Sequence, residues 1–293
     1  RRRTKNISRM PYCPYAKHVR VAHVISMDRD SSRFEHSAAL LRRIGFRVKR
    51  FAPIPLDDPE ISSWQRQFHR WNDPTDSSPA SAISLSLSHL SLWRKFPTDH
   101  EWLYVFEDDV MLQPQGVSHL LPPHGRGSNA GKHTWSWPAE GAEDALACLI
   151  EEVEKVATWT NYSFAPMIYY GVGNAHHHRS EVIFLRGHHT VRMCDTLNLH
   201  AYAVRRQWVA SLMQQVLERR DKTWKTQHPL YRYDLDVMLR GFFMSGLWRI
   251  RQGSKELASV NPLCIDMEEN GVIIQNSSYR RTVDHSKSRV FNW

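Results

Sequence analysis

The stretch Trp102-Leu103-Tyr104-Val105-Phe106-Glu107-Asp108-Asp109-Val110 constrains this chain more than any other. Five successive apolar residues, aromatic and β-branched among them, predict a strand covered on both faces. The run passes straight into three carboxylates. Side chains alternate along an extended backbone, so Glu107 and Asp109 are expected on one side and Asp108 on the other. In open α/β sheets ligands collect at the carboxyl ends of strands, where these acids would lie. Hard carboxylate oxygens there suit Mg²⁺ or Mn²⁺ carrying phosphate oxygens. A solvated acidic turn closing a core strand is the competing reading.

The preceding hundred residues supply a parallel-sheet frame. His18 to Met27, rich in β-branched residues, predicts a first strand. Ser32 and Glu35 make a capping box for a helix to about Ile44, with Phe34, Ala38 and Leu41 on one face and Gly45 as its left-handed stop. Phe46-Arg47-Val48 begins a second strand, which completes a βαβ opening. Residues 53–80 hold five prolines and predict a long loop or lid, with a short helix through Trp64, Phe68 and Trp71. Ser81 to Trp93 fits both a strand (Ile83, Leu85, Leu87) and a helix (Ile83, Leu87, Leu90); its Ser-Ser-Pro preamble favours the helix.

Beyond the acidic strand, residues 113–141 are rich in Gly and Pro, and loops of this length are uncommon unless functional or disordered. Ala142–Val156 predicts a helix burying Leu146, Leu149, Ile150 and Val153. Ala165–Tyr170, Glu181–Leu185 and Leu197–Val204 predict strands, Gln207–Arg219 and Tyr233–Phe243 helices, and Gly246–Arg251 and Gly271–Gln275 late strands. His176-His177-His178 and His188-His189 read as loop residues.

Length and composition fit a globular chain: 293 residues, 41% hydrophobic and 24% charged. No apolar run approaches the roughly 18 residues that span a bilayer. Arg1 opens an Arg-Arg-Arg run without an initiating Met, which is compatible with a removed anchor or stem. The net charge of +9 points to an anionic partner. The basic residues are scattered in pairs rather than gathered in one stripe, which argues against nucleic acid. Cys13, Cys148, Cys194 and Cys264 lack CxxC spacing, so a structural zinc site is not expected, while two disulfides are permitted. The sequons at Asn6, Asn161 and Asn276 permit glycosylation in a secretory lumen.

Several separated pieces together resemble glycosyltransferase family 25, which includes lipooligosaccharide and collagen galactosyltransferases. They are Ile25-Ser26-Met27-Asp28-Arg29-Asp30-Ser31-Ser32-Arg33 after the first strand, with Ser26 where the family usually has Asn; Ser86-Leu87-Ser88-His89 before Trp93; Phe106-Glu107-Asp108-Asp109-Val110; Ala201-Tyr202-Ala203-Val204 running on to Leu212; Tyr233-Asp234-Leu235-Asp236-Val237-Met238-Leu239; and the closing Pro262 and Gln275-Asn276-Ser277-Ser278. In order, they span most of residues 18–280.

The resemblance implies an α/β fold of GT-A type. In it a Rossmann-like mixed sheet flanked by helices is joined to a smaller acceptor-binding region. It divides the chain into a lead-in (1–17) and one domain (18–293), with a nucleotide-binding half of about 18–112 and an acceptor half of about 142–293. It also implies metal-dependent, inverting transfer of a hexose, typically galactose, from a UDP-sugar to a hydroxyl of a glycan or peptide acceptor. Asp109 and Glu107 are then the expected ligands of Mn²⁺ (or Mg²⁺), with His285 as a third. Asp28, Arg29, Arg33, His89, Glu107 and Asp108 are expected around the donor. Inversion needs a general base at the acceptor hydroxyl, and Asp236 is expected to serve, with Asp234 as its neighbour. Trp64, Trp135 and Trp137 are candidates for stacking on an acceptor. The expected location is a secretory lumen (Golgi or ER) for a eukaryotic chain and the cytoplasm otherwise. An inactive carbohydrate-binding family member and a basic nucleic-acid binder are the alternatives.

Overall fold

The computed structural model describes residues 20–27, 31–69, 79–96, 100–112, 142–158, 165–171, 173–177, 183–184, 190–197, 199–223, 235–244, 250–252, 255–257, 262–266 and 273–275. The opening is β1 (Arg20–Ile25), α1 (Ser31–Arg43) and β2 (Phe46–Phe51). β1 pairs in parallel with β2 on one side and with β3 (Trp102–Glu107) on the other, so the βαβ expectation is met. Gly45 closes α1 at φ +90°, a left-handed conformation that glycine adopts without steric cost.

α2 (Pro59–His69) and α3 (Pro79–Arg94) follow β2, and β4 (Val110–Leu112) follows the acidic turn. Next come α4 (Ala142–Ala157), β5 (Met167–Tyr169), β6 (Gly173–His177), β7 (Ile183–Phe184), β8 (Thr190–Leu197) and β9 (Ala201–Arg205). α5 (Arg206–Thr223), α6 (Leu235–Met244), β10 (Ile250–Gln252), β11 (Lys255–Leu257), β12 (Leu263–Asp266) and β13 (Ile273–Gln275) complete the described elements. The main sheet runs β2-β1-β3-β9-β5-β12-β8-β6, with β7 on β8. It is mixed: β9 is antiparallel to both β3 and β5, β12 is parallel to β5, and β8 is antiparallel to β12.

The alternation of strand side chains sorts the core into two layers. Ala22, Val24, Tyr104, Phe106 and Ala203 face Phe34, Ala38 and Leu41 of α1 and Leu149, Ile150 and Val153 of α4. Ile25, Leu103, Val105, Tyr202 and Val204 face Trp64 of α2, Leu87 and Leu90 of α3, Leu212 of α5 and Leu239 of α6. Trp102 to Phe106 are all at most 6% exposed, as a strand inside a two-faced sheet requires.

Several boundaries differ from the sequence reading. α1 begins at Ser31, so Ser32 lies inside the helix and is not its cap. Ser81–Trp93 is helical, as favoured. Leu197–Val204 is not one strand: Leu197 ends β8, and β9 starts at Ala201, separated from β8 in the sheet by β5 and β12. His176 and His177 belong to β6 rather than to a loop. β8, β11 and β12 were not anticipated, being short or polar and lacking a clean period. Trp71, Trp135, Trp137 and residues 113–141 lie outside the described residues.

Candidate active site

β3 delivers three carboxylates to the carboxyl end of the sheet. Strict alternation stops at Glu107, because Asp108 and Asp109 already occupy a turn. The expectation that Asp108 points away from its neighbours is therefore corrected. Arg33 Nη2 lies 2.6 Å from Asp108 Oδ1 and 3.6 Å from Asp109 Oδ2, which places both carboxylates around one guanidinium. Asp108 and Asp109 are buried and Glu107 is partly so.

The turn is held from three directions. Arg33 and Ser37 stand one helical turn apart on α1, hence on one face. Arg33 supplies the charge contacts, and the Ser37 hydroxyl donates to the Asp108 carbonyl at 2.7 Å. On the other side the Glu107 amide donates to the His200 carbonyl at 2.9 Å, just before β9 begins. From α3, the His89 Nε2 atom faces Glu107 Oε1 at 3.9 Å.

Asp236 joins the cluster from the first turn of α6, near enough to act on Glu107 electrostatically. The helix itself is fastened to α3, because the Ser86 hydroxyl accepts a hydrogen bond from the Leu235 amide at 2.9 Å. That amide belongs to the first turn, where no intrahelical acceptor exists. Asp108 and Asp109 thus share the Arg33 guanidinium, and Glu107 feels both of them together with Asp236. Burial first, then the like charges of Asp109, Asp236 and Asp108, push the Glu107 carboxyl up to about 8, and only Arg33 pulls it down.

This surplus of negative charge and its hard oxygen donors fit a divalent cation. Among the described residues, no group of three or more His, Cys, Asp or Glu side chains is arranged to hold a metal alone. Asp109 and Glu107 are the carboxylates that could hold one.

The expected donor and base residues divide as follows. Arg33, Glu107, Asp108, Asp109 and Asp236 come together, while His89 lies behind Glu107, 1% exposed. Asp28, Arg29, Asp234 and His285 lie outside the described residues. Sequence reasoning gave no role to Ser37, Ser86 and His200, whose hydrogen bonds brace the acidic turn and the start of α6; a serine one turn after Arg33 was the available signal for Ser37. It also missed Arg50, whose guanidinium donates to the Met27 carbonyl and lies over the Phe34 ring, bracing the end of β1.

Residues 20–121 match the family model described as Glycosyltransferase family 25 (LPS biosynthesis protein). No curated protein matches the chain. Among solved structures, the chain is similar to the apo-form glycosyltransferase GlyE of Streptococcus pneumoniae TIGR4, with 9% identity and a TM-score of 0.35. That match covers 77% of this chain and 44% of the neighbour, so this chain spans less than half of the neighbour's length. The similarity to glycosyltransferase family 25 covers residues 20–121, the segment that builds β1 through β3 and the acidic turn.

Proposed function

We propose that this chain is a metal-dependent, inverting glycosyltransferase that moves a hexose, galactose first among the candidates, from a UDP-sugar to a hydroxyl of a glycan or peptide acceptor. The observation that carries the reading is the convergence of Glu107, Asp108, Asp109 and Asp236 at the carboxyl end of β3. It falls where a doubly covered sheet presents its ligand crevice, and its acidic turn lies in the segment matched by the family model.

In this reading Asp109 and Glu107 hold Mn²⁺ or Mg²⁺, which when bound neutralises charge developing on the departing pyrophosphate. Arg33 holds Asp108 and shares charge with Asp109. Asp236 accepts the proton of the acceptor hydroxyl as the new bond to the anomeric carbon forms and the bond to UDP breaks. Its place in the first turn of α6 sets it beside Glu107 in the acidic cluster. The disulfide bonding of both Cys148 and Cys264 supports an oxidising compartment such as a secretory lumen.

A second reading, a carbohydrate-binding member without turnover, draws on the Arg33 ion pairs, which already neutralise part of the cluster. One experiment separates the two. Turnover is measured across UDP-galactose, UDP-glucose and UDP-N-acetylglucosamine with Mn²⁺, and again in EDTA. Turnover that EDTA removes and Mn²⁺ restores is expected. Asp109→Ala should lower kcat by at least about a hundredfold without unfolding the protein, a loss of some 2.7 kcal/mol in transition-state stabilisation. Near-wild-type turnover in Asp109→Ala, or full activity in chelator, defeats the metal assignment. UDP binding without turnover favours the second reading.

A further inference from the structure

We propose that His89 is a positioning residue whose Nε2–H is the donor that seats Glu107, and that Tyr202 and Trp93 fix the imidazole in the tautomer this requires. For its effect on turnover the inference rests on the proposed function; for its geometry it does not.

His89 and Trp93 stand one turn apart on α3 and so share a face. That face lies over Tyr202 of β9, with ring centroids 5.6 Å from His89 and 6.4 Å from Trp93. The Trp93 indole N–H donates to the Tyr202 hydroxyl at 2.9 Å. Indole nitrogen can only donate, so the phenolic oxygen is the acceptor there and its own proton remains to be placed. His89 Nδ1, 3.0 Å away, is the acceptor available to it among the described residues. An accepting Nδ1 puts the proton of the neutral ring on Nε2.

Nε2 has no hydrogen-bond partner among the described residues and faces Glu107 Oε1 at 3.9 Å. Buried polar nitrogens are ordinarily paired, so one left open toward a carboxylate cluster calls for an explanation. The opposite tautomer would leave the Tyr202 proton without an acceptor among the described residues. Between His89 and Glu107 a directed N–H dipole acts. Movement of roughly 1 Å, or one bridging water, closes the gap to a hydrogen bond. Trp93, Tyr202 and His89 are each at most 2% exposed, so a bound ligand meets Glu107 and not the relay behind it.

The test is two-bond ¹H–¹⁵N correlation on ¹⁵N-histidine-labelled protein. Wild type is expected to show His89 as the Nε2–H tautomer. Glu107→Gln should displace its Nε2 resonance, whereas Asp57→Asn, at an exposed loop, should not. Tyr202→Phe should shift the ring toward Nδ1–H, and Trp93→Phe supplies the same readout should Tyr202→Phe not fold. An Nδ1–H tautomer in wild type, or resonances indifferent to Glu107→Gln, overturns the proposal.

Turnover adds a second arm. His89→Leu should lower kcat for the UDP-sugar about tenfold or more with KM unchanged, as loss of an outer-shell partner does. His89→Gln, whose amide can still donate, should recover most of that loss. Equal losses in both variants with a raised KM would assign His89 to packing and overturn the proposal. A protein with the Nε2–H tautomer but no turnover of any UDP-sugar would defeat the proposed function and leave the His89 assignment standing.

Discussion

Glu107 sits where burial and three neighbouring carboxylates oppose its ionisation and only Arg33 favours it. Its carboxyl moves from an ordinary 4.5 to about 8, so between those values the folded chain keeps a proton the unfolded chain has released. Stability therefore falls as pH rises through that window. His89 runs the other way. Burial lowers it from 6.5 to about 3, so its contribution is complete above 6.5 and lost as pH falls toward 3. The two slopes oppose each other between 4.5 and 6.5. Urea midpoints should accordingly rise to about pH 4.5, level off, and fall from about 6.5 to 8. Glu107→Gln should abolish the alkaline fall and spare the acid limb; a fall that survives in this variant belongs to another group.

Among the helices, α3 links the halves of the chain, since it packs on Tyr202 and Leu212 and holds the start of α6. Its sequence alternates serine with leucine and reads as a strand in one register. As a helix it gives Ser84, Ser86 and Ser88 hydrogen-bond partners. Ser84 donates to the Ile54 carbonyl, while Ser88 accepts from the Ile54 amide at 2.9 Å and donates to the Ser84 carbonyl at 2.6 Å. Ser86 meets α6. Ile83, Leu87 and Leu90, at spacings of four and three, bury the apolar stripe. Ser86→Ala should cost about 1 kcal/mol by leaving the Leu235 amide without its acceptor. It should also reduce turnover more than UDP binding, because Asp236 follows Leu235 directly. Unchanged chemical denaturation would show that water replaces the serine.

Across the whole molecule, a buried polar knot ties the helix layer of α1 and α4 to the sheet. Arg20 of β1 engages Glu154 of α4 in a bidentate pair, Nε to Oε1 at 3.0 Å and Nη2 to Oε2 at 2.9 Å. The Tyr104 hydroxyl of β3 donates to the same carboxylate at 2.8 Å. Burial works against the Arg20 charge, and the Glu154 carboxylate outweighs it and holds the guanidinium protonated. Removing one partner of such a pair strands the other in low dielectric. Glu154→Ala should therefore destabilise by about 3–5 kcal/mol. Arg20→Met combined with Glu154→Leu should recover part of that loss. A Glu154→Ala variant that unfolds at the wild-type urea midpoint would show that Arg20 finds solvent instead.

Elements whose apolar pattern stands on local chemistry are legible in the amino-acid order alone. Examples are the β1-α1-β2 opening with its Gly45 stop, the five-residue apolar core of β3, the buried stripe of α4 and the position of the acidic motif. Periodicity and turn chemistry act over a few residues, so they can be read directly. Which side chains meet is set by the folded chain. The turn at Asp108 cancels the alternation expected of a strand and brings both aspartates to Arg33. β9 enters antiparallel between β3 and β5, carrying Tyr202 to His89 across more than a hundred residues of chain. Those contacts depend on strand order and helix docking, which no local pattern encodes.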